Sequence, residues 1–131
     1  MKKILFTIVL LATVCTAYAQ GIMSKWPQLK SFHTVMSQTF HPSEEGNLTP
    51  IKERSTELAM KADSLSSSNI PAEYNTSKIQ KAVLQLKVDA KKLDELIKSN
   101  KATDAHITKA LSDLHDVFHQ IVGLCKNEQE H

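Results

Sequence analysis

Glycine is scarce in this chain, with three residues among 131, at Gly21, Gly46 and Gly123. None stands in a phosphate-cradling loop, which excludes the common nucleotide-binding motifs. An excess of one charge is also missing. The formal +2 comes from 16 basic and 14 acidic residues, and Lys2 and Lys3 supply the whole difference. Without them the count is 14 against 14, which leaves no electrostatic footprint for nucleic acid or anionic lipid. No apolar run beyond the first twenty residues is long enough to span a bilayer. No segment alternates with period two for long enough to make a strand. Nucleophile–base pairs and paired carboxylates are lacking too, so the expectation is not an enzyme.

The first residues account for two of these deficits. Lys2 and Lys3 precede an almost wholly apolar stretch over residues 4–14, and Ala17-Tyr18-Ala19 follows as a small-x-small site. This is the pattern of a signal peptide covering residues 1–19, with the cut between Ala19 and Gln20. Its apolar run is too short for a mature membrane helix, and Val14 before Cys15 argues against a lipoprotein. The expectation is a periplasmic or secreted protein, residues 20–131, forming a single domain of 112 residues. Cleavage removes Cys15 and leaves Cys125 alone, so no intramolecular disulfide can form. Cys125 is then a core thiol, a metal ligand or a point of dimerisation.

What is present is helical periodicity. Pro27 fits the first turn of a helix, and Leu29, Phe32, Met36 and Phe40 recur on one face. His41-Pro42 is expected to stop that helix, since the residue before proline is pushed out of the helical region, with a loop over residues 43–48. Thr49-Pro50 reads as a cap and first turn, followed by Ile51, Ser55, Leu58, Ala62 and Leu65. The serines from Ser66 to Ser68, with Pro71, make the central connection. A third helix from near Thr76 keeps Ile79, Val83, Leu86, Ala90, Leu93 and Ile97 on one face. Thr103 caps a fourth, which buries Ile107, Leu111, Leu114, Phe118, Ile121 and Val122. Short connections predict an all-α, antiparallel up-down-up-down four-helix bundle.

Histidine is the residue present in excess, with six in the chain. Phe-His occurs at Phe32-His33, Phe40-His41 and Phe118-His119, which places each histidine about 100° from a core phenylalanine, at the edge of the apolar stripe. His115 and His119 are spaced i, i+4 and stand one above the other on a helix face, where two imidazoles can share a metal ion. With the first and fourth helices side by side, His33 falls roughly 13 Å from the shared end, between His119 at roughly 10 Å and His115 at roughly 16 Å. Met36 shares a face with His33 at i, i+3. Nitrogen and sulfur donors suit Cu, Zn, Ni or Co. His41 lies about 12 Å beyond His33 along the helix, so it either joins Glu44 or Glu45 in a second site or the loop returns a carboxylate to the first. His106, His131, Met23 and Met60 read as surface or packing residues. Asp116 stands where a zinc protease needs glutamate, and the Glu-x-x-His pairs of di-iron bundles are missing.

Met36 in the first helix and His119 in the fourth resemble the axial ligands of soluble periplasmic four-helix cytochromes, the c-prime type and its b-type relative. Laying the c-prime C-x-x-C-H motif over residues 115–119 puts the axial histidine at His119. It also puts His115 and Phe118 at the haem-linking cysteines, so covalent haem is excluded. The resemblance implies the bundle fold and, as one function, electron transfer by haem b held by Met36 and His119. His33, His41 and His115 exceed that need and are similar to the sites of periplasmic histidine-rich metal-binding helical bundles. The leading expectation is a transition-metal ion held by His33, His115 and His119, with Met36, His41, Glu44 or Glu45 assisting, for sequestration, delivery or sensing. A structural bundle binding a partner protein or a second copy of itself is the remaining one.

Overall fold

Proline sets where the first long helix begins. The computed structural model describes residues 21–130; the expected signal peptide and cleavage point, and His131, lie outside them. Residues 21–25 are helical, but Trp26 leaves the helical region at φ −130° and ψ 82°, as a residue before proline is driven to do. Helix α1 (Pro27–Glu44) then starts with Pro27 in its first turn, where the missing N–H costs nothing. Trp26 itself is fully buried, and its indole Nε1 donates to Ser68 Oγ at 3.1 Å. That bond ties the head of α1 to the tail of α2 (Thr49–Ser67).

The same proline rule, applied at His41-Pro42, places the end of α1 too early. The helix runs through Pro42 to Glu44. Only the bond to the Gln38 carbonyl is forfeited there, and Gln38 is exposed, so the loss is small. The turn that follows is closed by Gly46 at φ +84°, a left-handed conformation that glycine adopts without strain. Thr49 is the first residue of α2 rather than its cap, and its N–H is held by Asn47 Oδ1 at 3.2 Å.

A 3-10 turn (Ala72–Tyr74), which the sequence does not signal, leads to α3 (Ser77–Lys98) and α4 (Asp104–Gln129). Thr103 caps α4 as expected, its hydroxyl accepting from the N–H of His106, and Thr76, at the expected start of α3, caps that helix through the N–H of Ile79. The α3 helix ends at Asn100, whose φ of +56° is the left-handed stop that asparagine tolerates. Among the described residues the protein is all-helical. Consecutive helices pack side by side, and α4 meets α1 along a sparser seam. No described helix is long and apolar enough to cross a membrane.

The expected stripes form one core. Ile51, Leu58, Ala62, Leu65, Ile79, Leu86, Leu93, Leu111, Leu114 and Ile121 are all buried, whereas Ile97 and Val122 are only half-covered at its edge. One carboxylate lies within this setting. Asp94 on α3 accepts from Ser55 Oγ at 2.8 Å and Thr56 Oγ1 at 2.9 Å on α2, and from Lys98 Nζ at 2.8 Å. Burial pushes its pKa up, but the three hydrogen bonds outweigh burial and hold it below the usual value.

A carboxylate depressed in this way stabilises the fold above its unfolded pKa and loses that contribution as pH falls through the folded one. Asp94→Ala should therefore destabilise the protein by about 2–4 kcal/mol at neutral pH, measured by urea denaturation. The gap between wild type and variant should close below the ordinary carboxylate range. An equal gap at all pH values would show that the loss is one of packing rather than of charge.

Candidate functional site

The α1–α4 seam is lined by rings, and their placement follows from the Phe-His pairs. Phe32 and Phe118 are buried and meet across the seam with centroids 5.9 Å apart. Each neighbouring histidine then lies about 100° further round its helix and covers the flank. His33 of α1 lies flat on Phe118 of α4, at 5.0 Å and 14°. His115 of α4 lies flat on Phe40 of α1, at 3.7 Å and 12°. The stacking is reciprocal, with each helix lending a histidine to the other's phenylalanine.

His115 and His119 are brought together as their spacing predicts. Their Nε2 atoms stand 3.1 Å apart, with the rings edge to face at 84°. Two nitrogens bound at ~2.05 Å to one tetrahedral ion are separated by about 3.3 Å, and on a square-planar ion by about 2.9 Å. The observed spacing falls between these two bites. Without a metal, one nitrogen must carry the proton that the other accepts, so at least one of the two rings is neutral in the hydrogen-bonded pair.

The electrostatics favour neutral imidazoles. The pKa of His115, which is half-buried, is lowered first by burial against Phe40 and then by the neighbouring His119, with Asp116 and Glu44 opposing. The pKa of His33 is also lowered, first by burial and then by His119 and His41. Its outer edge is exposed, but the face against Phe118 is covered, and that face removes water from the ring. Metal ligation requires the neutral form.

Other expected residues sit elsewhere. His41 pairs with Glu44, Nδ1 to Oε2 at 3.2 Å, and both are well exposed. Glu45 is exposed at the end of α1, where its N–H bonds to the Pro42 carbonyl. Met36 is fully buried in the core. Three residues amount to roughly a −60° turn on a helix, enough to carry Met36 to the centre of the stripe while His33 stays on its rim. Among the described residues no three His, Cys, Asp or Glu side chains are already closed round a point that could hold a metal ion. The histidine pair is therefore a two-nitrogen bite with open positions. Of the two residues expected to hold a haem, Met36 lies in the core and His119 is exposed beside an outer cleft that Met36 does not line.

That cleft has a volume of about 640 Å³. His33, His119, Phe118 and Val122 line it together with Met23 and Lys30. Met23 and Lys30 are contributors that the sequence reading leaves out. Their distance from His33, ten and three residues, places all three on one side of the chain, but the break at Trp26 hides that periodicity. His106 is exposed, as expected. Comparison with known proteins returned no matching family model, curated protein or solved structure. Function therefore rests on the geometry of these side chains.

Cys125 is settled by its position. It is fully buried, and burial pushes its thiol up to about 12, which makes it a core residue without nucleophilic character. Folded protein at mildly alkaline pH should react with a disulfide reagent roughly a hundredfold more slowly than the same protein in urea. Equal rates, followed by thiol absorbance release, would place the sulfur at the surface.

Proposed function

We propose that this chain is an exported, antiparallel up-down-up-down four-helix bundle that binds one transition-metal ion at the α1–α4 seam. His115 and His119 are the primary ligands, and His33 swings from Phe118 to supply a third nitrogen. Water or a partner's donor fills what remains. Copper, zinc, nickel and cobalt are the ions this nitrogen set suits. The observation that carries the reading is the 3.1 Å separation of the His115 and His119 Nε2 atoms, a ready bite on neighbouring turns of one rigid helix.

Several features support it. Phe40 holds the His115 imidazole by stacking, so little of that side chain's freedom is lost on binding. Burial of His115 and His33 favours the uncharged form that coordinates. Open coordination positions and a solvent-facing edge suit uptake and release, hence sequestration, delivery or sensing, better than a closed structural site. His41 and Glu44 form an exposed pair of their own and act as an entry point rather than as first ligands. The N-terminal leader pattern supports export, and the short connections support the antiparallel topology. Binding rather than catalysis is what this residue set favours.

Titrating Cu, Zn, Ni and Co ions into the demetallated protein by calorimetry tests the assignment. Single-site binding of at least one of them is expected, with the melting temperature rising by roughly 10 °C at a hundredfold excess over Kd. The double variant His115→Ala with His119→Ala should abolish both effects, and His33→Ala should weaken binding about tenfold, or ~1.4 kcal/mol. Unchanged affinities in the double variant would sink the proposal.

A further inference from the structure

The cleft beside His119 is more than an approach to a metal ion. At about 640 Å³ it is in the range of small-molecule sites, and a groove on the α3–α4 side holds about half as much, 340 Å³. Its apolar wall is built by Met23, Phe118 and Val122, and its polar lining includes Lys30, His33 and His119. No aspartate or glutamate lines it among the described residues. Lys30 is exposed and takes part in none of the salt bridges among those residues. An apolar wall with an unmatched cation and no opposing acid is complementary to a molecule with one apolar body and one anionic head.

We propose that this cleft binds a free, single-chain amphiphilic carboxylate, of the medium-chain fatty acid type. The acyl chain lies against Met23, Val122 and the edge of the stacked His33–Phe118 pair, and the carboxylate sits at Lys30, within reach of the imidazoles of His33 and His119. This assignment rests on the cleft and not on the metal reading, and metal-free protein is the material for its test.

Decanoate below its micellar concentration is titrated calorimetrically into the metal-free protein. Saturable single-site binding is expected. Lys30→Gln should weaken it about two- to fivefold, the range of an exposed ion pair. Val122→Arg, which places a long charged side chain along the acyl wall, should weaken it more than tenfold; Met23→Glu, on a separate helical turn, repeats the block if Val122→Arg disturbs folding. Decyltrimethylammonium, with the same chain and the opposite charge, should bind at least tenfold more weakly. No saturable binding, equal binding of the cationic probe, or undiminished binding to the wall variants would overturn the proposal. So would binding to phosphatidylglycerol vesicles without binding to decanoate, which would make the occupant a membrane surface.

Discussion

The ring contact between Phe32 and Phe118 closes the series of helices, and the site depends on it. Each of the other helix pairs is adjacent in the chain and packed along much of its length. The α1–α4 seam has no connecting turn and less packing, so a few aromatic side chains carry it. Because the chain places histidine immediately after three of its phenylalanines, closing the seam with phenylalanine automatically brings imidazoles to its rim. The histidine edge is a geometric consequence of how the apolar stripe is closed.

Polar groups inside the protein follow a strict economy. Among the described residues no buried side-chain nitrogen or oxygen lacks a hydrogen bond. Asp94 is the costliest of these groups, and it is matched by two hydroxyls from α2 and an ammonium one turn along α3. A hydroxyl pair and a carboxylate match in only one arrangement, so the network selects a single register of α2 against α3 where leucine contacts alone would tolerate a slip. Trp26 does the same at the opposite end of α2 through its single bond to Ser68.

The apolar stripes were legible in the sequence because they repeat with the helical period, and the Thr103 cap because it is a local signal. The His115–His119 pair was legible for the same reason, since four residues on a helix fix two side chains relative to each other. What escaped was non-local or competitive. The roles of Trp26 and Asp94 depend on hydroxyls 42 and 39 residues away, and no spacing rule reaches that far. Pro42 does not stop the helix, because its steric rule competes with a last helical turn that has little left to lose, whereas Pro27 obeys the rule. Met36 and His33 share a face at i, i+3, but a difference of roughly 60° round the axis separates the core from its rim, and spacing alone does not say where that border falls.

The sparse seam also joins parts of the chain that are far apart in sequence. Pairs of helices joined by short turns can form early, since little chain entropy opposes them. Phe32 and Phe118 lie near opposite ends of the described chain, and their meeting must wait until the intervening helices have docked. The reciprocal histidine stacking therefore exists only where the first and last helices have closed on each other. A chain that has not finished folding presents scattered imidazoles on unconnected helices, so the completed ring edge serves as a built-in certificate that folding is complete.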